Sequence, residues 1–218
     1  MTSRAQVDKL GERLKAGPTT EADLRLLDEY RLTFAGAYQS VIDQTVAFGL
    51  RPTGRPAKST KAIIDKLQRE SIRLSQIQDI AGCRVVVETI VEQNRVRDEL
   101  TRAMPQSAVL DRRARPSHGY RAVHVVAVVG GLPVEVQIRT IPQQVWAQIS
   151  EKLADGVDPA LKYGGGPPRI RQALEAFSEA VSRVHDAGGT WTLDAGSMST
   201  LAEALEGLAY PWRSATVL

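Results

Sequence analysis

Three polar side chains with different chemistry alternate along residues 134–140. Strand periodicity places Glu135, Gln137 and Arg139 on one face and the intervening apolar side chains on the other. A carboxylate, an amide and a guanidinium in this order could hold a metal ion, a hydroxyl group and a phosphate together. A solvated strand face explains the same pattern equally well, so this segment needs support from elsewhere in the chain.

A second carboxylate, Asp79, precedes an apolar run that predicts a buried strand over residues 83–87. Gly82 leaves bare backbone beside it that a ligand could approach. Taken alone, Asp79 is more typical of a turn. If the strands next to Asp79 and Glu135 are neighbours in one sheet, however, the two carboxylates could share one Mg²⁺. That ion prefers one or two carboxylates together with substrate phosphates.

Basic residues are concentrated in two stretches, both interspersed with Gly and Pro. Residues 51–73 hold seven Lys or Arg against two acids, and residues 112–121 hold four Arg and no acid. Such clusters favour phosphate-bearing ligands, although solvated surface charge is their commoner role. The glycine patterns of a P-loop and of a dinucleotide-binding turn are both missing from the sequence, so those two nucleotide sites are unsupported.

The composition is that of an ordinary globular protein, with 43% hydrophobic and 24% charged residues in 218. No apolar run approaches the roughly 20 residues of a membrane span, and the N-terminal residues lack the apolar core of a secretory signal. Cys83 is the only cysteine, which excludes an internal disulfide and fits a reducing compartment. We therefore expect a cytoplasmic protein without a membrane partner.

Hydrophobic periodicity predicts an α/β (α+β) protein, with a mixed β-sheet flanked by helices. One long helix is predicted at 21–48, a loop at 51–56 because of its two prolines, and a helix capped by Ser59 or Thr60. Further helices are predicted at 91–103, from 142, from 168 and at 197–208, and strands at 83–87, 109–112, 123–129 and 134–138.

The same reading divides one structural domain into three consecutive segments. Residues 1–50 are expected to be a helical segment packing on the core, 51–165 the catalytic core, and 166–218 the C-terminal helices and tail. An apolar stripe from Ile170 to Val184 could join copies of the chain in a homo-oligomer, or could pack on its own core.

Four short motifs occur in the order found in the RelA/SpoT synthetase domain, and the chain resembles this family over residues 51–163. The resemblance implies the nucleotidyltransferase-like fold of that family. Given the length, it also implies a small, stand-alone alarmone synthetase. The motifs are Arg55 and Lys58 followed by 63–67, then 79–84, then 119–124, then 135–140.

By resemblance, the chain moves the β,γ-pyrophosphate of ATP to the 3′-hydroxyl of GDP or GTP, making the stringent-response alarmone (p)ppGpp. Asp79 and Glu135 would bind Mg²⁺, and Glu135 would accept the proton of the attacking hydroxyl. Tyr120 would stack on the acceptor base. The other implied ligands are Arg55, Lys58, Lys66 and Arg84 for ATP, and His124, Gln137, Arg139, Arg112 and Arg115 for the acceptor.

Two departures from the family pattern leave alternatives open. Arg55 and Lys58 are one residue further apart than the usual Arg-x-Lys, so Lys61 is an alternative to Lys58. Residues 146–164 also differ from the ending of housekeeping small synthetases. A toxin-type enzyme that pyrophosphorylates the 3′ CCA end of tRNA or makes (p)ppApp, with an antitoxin partner, is therefore a second hypothesis. A catalytically inactive nucleotide-binding module is a third.

Overall fold

The computed structural model describes residues 3–186, which form a five-stranded sheet with helices packed on it. The strands are β1 (Thr53–Arg55), β2 (Ala81–Val87), β3 (Ala108–Asp111), β4 (Val123–Val129) and β5 (Leu132–Thr140), in the spatial order β1-β2-β5-β4-β3. The helices are α1 (Arg4–Ala16), α2 (Glu21–Leu32), α3 (Ala35–Ala47), α4 (Thr60–Arg69), α5 (Ile90–Ala103), α6 (Ile141–Gly156) and α7 (Pro168–Asp186), with short 3-10 helices at Leu74–Gln76 and Pro159–Tyr163. The predicted fold class is confirmed.

The N-terminal helix α1 lies inside the segment expected to be helical at residues 1–50, although its bounds were not predicted from the sequence. Ser3 caps it, because its hydroxyl accepts from the Gln6 backbone and the Gln6 side chain accepts from the Ser3 backbone. The helix packs against the 3-10 helix at Leu74–Gln76 and against α4. Gly11 makes this approach possible, since a Cβ there would lie 2.7 Å from the Leu74 Cβ.

The single helix predicted over residues 21–48 is wrong, because the chain breaks between α2 and α3. The Thr33 hydroxyl donates to the Tyr30 carbonyl at 2.6 Å, which competes with the backbone pattern of a continuing helix. Phe34 is fully buried at the break, and its ring meets the edge of Tyr30 with 5.2 Å between centroids.

The loop predicted at residues 51–56 contains a short strand. Between Pro52 and Pro56, β1 pairs antiparallel with β2 at the edge of the sheet, where proline is tolerated. Gly54 at its centre leaves room for the Tyr38 hydroxyl, which would have to shift if this residue carried a Cβ. The pairing fixes the backbone that carries Arg55.

The chain divides into two compact units. The first comprises Met1–Val86, Gln93–Leu110 and Val123–Ile138, and the second comprises Val87–Glu92, Asp111–Ala122 and the residues from Arg139 onward. The predicted division at residues 50 and 165 stays a prediction. The helix predicted at 197–208 and the side chain of Val184 lie outside the described residues.

The apolar stripe of α7 packs inside the second unit. Its side chains join a buried cluster with those of α6 and the preceding 3-10 helix, so the described part of the stripe belongs to a core of this chain. No helix in the range 3–186 is long and apolar enough to cross a membrane. The cluster comprises Trp146, Ala147, Leu153, Ala154, Leu161, Ile170, Leu174, Phe177 and Val181.

Candidate active site

Asp79, just before β2, is surrounded by three cations of the first unit. Lys66 Nζ donates to Oδ1 at 3.0 Å, and Lys58 Nζ donates to Oδ2. The Arg55 guanidinium donates to the Asp79 carbonyl at 3.0 Å and lies 3.7 Å from Oδ2. Burial alone would raise the pKa of Asp79, but the two lysines outweigh it and lower that pKa to about 2. Asp79 is therefore an ionised carboxylate at the centre of a cationic cluster.

Local structure delivers the two lysines to this carboxylate. The Lys58 backbone N–H donates to the Ile80 carbonyl at 2.7 Å, which ties the residues before α4 to the start of β2. Helix α4 begins after Ser59, whose hydroxyl accepts from the backbone of the first turn, and its buried Ile63 and Leu67 anchor it. Lys66 then projects from α4 towards Asp79.

The alternative lysine, Lys61, does not reach this cluster. Its side chain is 87% exposed and lies 3.1 Å from Asp65 on the same helix. Solvated pairs of this kind contribute little to stability. Of the two lysines that the sequence left open, the structure brings Lys58 to Asp79.

Glu135 lies on β5, where the predicted alternation is confirmed by its fully buried apolar neighbours. Its Oε1 is 2.9 Å from His124 Nδ1, and Gln137 Nε2 donates to its Oε2 at 2.7 Å. His124 lies on β4 directly opposite Gln137, so the three side chains share one face. Burial alone would raise the pKa of Glu135, but His124 and Gln137 outweigh it and lower that pKa. Glu135 is held as an oriented, ionised carboxylate.

Asp79 immediately precedes β2 and Glu135 lies on β5, and these two strands are neighbours, which is the condition under which the sequence predicted a shared Mg²⁺. Strands β2 and β5 are adjacent in the sheet, and a Cβ on Gly82 would lie 2.6 Å from the Glu135 carbonyl oxygen. The negative charge of Asp79 also acts to raise the pKa of Glu135, although the lowering effects prevail. Gly82 therefore permits the close approach of strands β2 and β5. The two carboxylates in this part of the first unit repel each other.

This donor set fits a magnesium ion that is completed by substrate oxygens. Among residues 3–186 no three His, Cys, Asp or Glu side chains form a metal-holding group, so a full protein cage is not provided there. Mg²⁺ needs only one or two carboxylates beside phosphates. Each Asp79 oxygen accepts one lysine hydrogen bond and keeps a further lone pair. Asp79 and Glu135 would hold the ion, which would neutralise charge on phosphate oxygens.

Cys83, on β2, is an unreactive thiol despite its place in this unit. Burial raises its pKa to about 12, and the charge of Glu135 acts in the same direction. We expect iodoacetamide at pH 8 to alkylate the native protein at least about a hundredfold more slowly than the unfolded protein, because only the thiolate reacts. Mass spectrometry over time measures this without ambiguity, since the chain has one cysteine. Comparable rates in both states would contradict the burial.

In the second unit, Arg139 is bound to Tyr120. Its Nη2 and Nε donate to the Tyr120 hydroxyl at 2.9 and 3.3 Å, and its guanidinium carbon lies 5.0 Å from the ring centroid. Its Nη1 donates to Gln144 Oε1 at 2.9 Å, and the residue is only 3% exposed. The resemblance placed Arg139 at the acceptor nucleotide. In the structure, its Nε, Nη1 and Nη2 atoms donate to Tyr120 and Gln144. Sequence reasoning missed Gln144, whose only signal was its position in the first turn of α6.

The basic loop before β4 has a fixed shape. Arg113 forms a forked pair with Asp111, with Nε at 2.9 Å from Oδ1 and Nη2 at 2.5 Å from Oδ2. Arg121 donates to the Arg113 carbonyl and, at 2.9 Å, to the buried Ser178 hydroxyl of α7. Asp111 therefore offsets one charge of the loop. Of the other residues predicted to bind a nucleotide, Arg84 on β2 and Arg112 are half-buried, and Arg115 is exposed.

Residues 54–156 match the family described as the region found in RelA/SpoT proteins. An uncharacterized protein of Mycobacterium tuberculosis is 32% identical over 227 residues, covering 99% of this chain and 81% of that protein. GTP pyrophosphokinase YjbM of Bacillus subtilis is 33% identical over 150 residues, covering 62% of this chain and 67% of that protein.

Among solved structures, the small alarmone synthetase 1 from Bacillus subtilis bound to its product pppGpp superposes with a TM-score of 0.58 and 28% identity. The match covers 77% of this chain and 95% of that one. The family match spans both carboxylates, Asp79 and Glu135, and the likenesses support a pyrophosphokinase-type activity. By its sequence, its fold and the residues gathered around Asp79 and Glu135, this chain belongs to the RelA/SpoT family.

Proposed function

We propose that this protein transfers the β,γ-pyrophosphate of ATP to the 3′-hydroxyl of GDP or GTP, producing (p)ppGpp and AMP. The observation that carries the proposal is the arrangement in the first unit: Asp79 immediately before β2, Glu135 on the neighbouring strand β5, and three cations around Asp79. A relative named a GTP pyrophosphokinase and a structural neighbour bound to pppGpp favour a guanine nucleotide as acceptor.

The cations around Asp79 are suited to the phosphates of ATP. Pyrophosphoryl transfer, like phosphoryl transfer, requires charge neutralisation and alignment more than covalent chemistry from the protein. Lys58, Lys66 and Arg55 carry donors that can exchange the Asp79 oxygens for phosphate oxygens, which charge-assisted hydrogen bonds favour. Arg84, on the strand that follows Asp79, is assigned to the same nucleotide.

Glu135 is assigned as the proton acceptor and, with Asp79, as a ligand of Mg²⁺. The acceptor 3′-oxygen attacks the β-phosphorus of ATP, and the bond from that phosphorus to the oxygen bridging to the α-phosphate breaks. AMP leaves with that oxygen, and the hydroxyl proton passes to Glu135. The contacts from His124 and Gln137 keep the carboxylate ionised and oriented for this step.

The remaining residues are assigned to the acceptor nucleotide. Tyr120 would stack on its base, because a base and an aromatic ring attract regardless of sequence. Arg112 and Arg115 would bind its 5′-phosphates. His124 and Gln137 would support acceptor binding through their hydrogen bonds to Glu135. Arg139 would support it through its hydrogen bonds to Tyr120.

A transfer assay tests this proposal. Purified protein is incubated with Mg²⁺ and γ-labelled ATP, and GDP, GTP, AMP or deacylated tRNA is offered in turn. We expect label in guanosine tetraphosphate with GDP and in guanosine pentaphosphate with GTP. Label confined to tRNA or to an adenine nucleotide would overturn the guanine assignment in favour of a toxin-type reaction. A complete lack of transfer would indicate an inactive nucleotide-binding module.

A further inference from the structure

Gln144 lies where the chain turns from β5 into α6. Thr140 caps this helix, because its hydroxyl accepts from the Gln143 backbone while the Gln143 side chain accepts from the Thr140 backbone at 3.0 Å. The reciprocal cap fixes the start of the helix immediately after Arg139. The side chain of Gln144 is therefore presented to Arg139 by a rigid turn.

The amide oxygen of Gln144 satisfies a buried charge. Arg139 is almost completely buried, and a buried guanidinium is unfavourable unless its N–H groups find acceptors. Its Nη1 donates to Gln144 Oε1 at 2.9 Å, while its Nη2 and Nε donate to Tyr120. Because the guanidinium is planar, acceptors on two of its sides fix the orientation of the whole group.

The orientation of Arg139 determines that of Tyr120. The guanidinium lies over the hydroxyl end of the Tyr120 ring, 5.0 Å from the ring centroid, and the Trp146 ring lies at 6.3 Å with a tilt of 56°. Trp146 is itself fixed, since its indole N–H donates to the Leu174 carbonyl at 2.7 Å. Tyr120 is thus held in place before any ligand arrives, which reduces the ordering cost of binding.

We propose that Gln144 is a positioning residue for acceptor recognition, acting through Arg139 on the ring of Tyr120. It touches no substrate in this scheme, and the inference rests on the proposed function. A neutral amide suits the role, because it accepts the hydrogen bond and leaves the positive charge of Arg139 to attract the ring face. Removing the amide oxygen should therefore weaken acceptor binding selectively.

The test measures steady-state transfer with GDP and ATP titrated separately. For Gln144→Leu we expect the KM for GDP to rise roughly tenfold, within the range that loss of one stacked base gives, with kcat and the KM for ATP within about twofold. Gln144→Glu keeps the acceptor oxygen but adds a negative charge that competes with the ring for Arg139, so its KM for GDP should fall between those of the wild type and Gln144→Leu. Gln144→Asn withdraws that oxygen and should behave as Gln144→Leu. Gln148→Leu, on the exposed face of the same helix, is the matched control and should change nothing.

A double-mutant cycle separates positioning from general damage. In a Tyr120→Ala background, Gln144→Leu should have no further effect on the KM for GDP. An additive effect, an equal loss for GDP and ATP, or a Gln144→Leu variant with wild-type kinetics would each overturn the inference. A wild-type protein that transfers to no acceptor would overturn the proposed function and, with it, this inference. An active wild type with an unchanged Gln144→Leu variant overturns the inference alone.

Discussion

Replacing Glu135 with Gln is expected to lower pyrophosphate transfer about a thousandfold, within the range that general acid–base catalysis contributes. The change preserves the size of the side chain and its ability to accept from His124 Nδ1. It removes the negative charge that receives the hydroxyl proton and helps to hold Mg²⁺. Because the ATP phosphates are assigned to cations around Asp79, binding of ATP should persist.

Single-turnover transfer from γ-labelled ATP to GDP measures the chemical step, and calorimetric titration with ATP measures donor binding. Glu151→Gln is the control, since Glu151 is an exposed glutamate on α6 and its loss of charge should leave both quantities unchanged. If Glu135→Gln transferred pyrophosphate within about tenfold of the wild type, the general-base assignment would be wrong. If ATP binding disappeared as well, Glu135 would belong primarily to the donor site.

The local patterns in the sequence were sufficient to predict the sheet around Glu135. The patterns along 123–129 and 134–138 predicted two strands, because a strand with one buried face repeats every two residues, and these strands pair as β4 and β5. The same reasoning placed Asp79 before a buried strand. A metal ion shared by the two carboxylates was expected only if their strands are neighbours, and the adjacency of β2 and β5 meets that condition.

Features that depend on distant partners were not predictable. The break before α3 depends on the burial of Phe34, and the strand β1 depends on pairing with β2, which overrides the local preference of two prolines. The contact from Gln144 to Arg139 has no sequence signature, since a glutamine in the first turn of a helix is usually solvated. The choice between Lys58 and Lys61 likewise needed the orientation of the start of α4.

The roles of Lys58 and Lys61 in ATP binding can be compared by making the same substitution at each position. Lys58→Met should lower kcat/KM for ATP about a hundredfold, because charge-assisted hydrogen bonds contribute about 1.5–3 kcal/mol and each 1.36 kcal/mol is a factor of ten. Lys58 is half-buried and bound to Asp79, so its ammonium is already positioned where the phosphates are assigned. Methionine keeps most of the apolar stem and removes only the charge.

Lys61→Met is the matched control, because it makes the same chemical change three residues away on a solvated side chain paired only with Asp65 in the described part of the chain. We expect kcat/KM for ATP to stay within about twofold there, as solvated ion pairs contribute little. Thermal unfolding of both variants at neutral pH tests whether Asp79, still bound by Lys66 and Arg55, tolerates the loss of one partner. A folded Lys61→Met protein with the greater loss would show that the one-residue insertion after Arg55 had moved the phosphate-binding role to Lys61. The cluster around Asp79 would then be structural, and the donor site would have to be sought on the exposed face of α4.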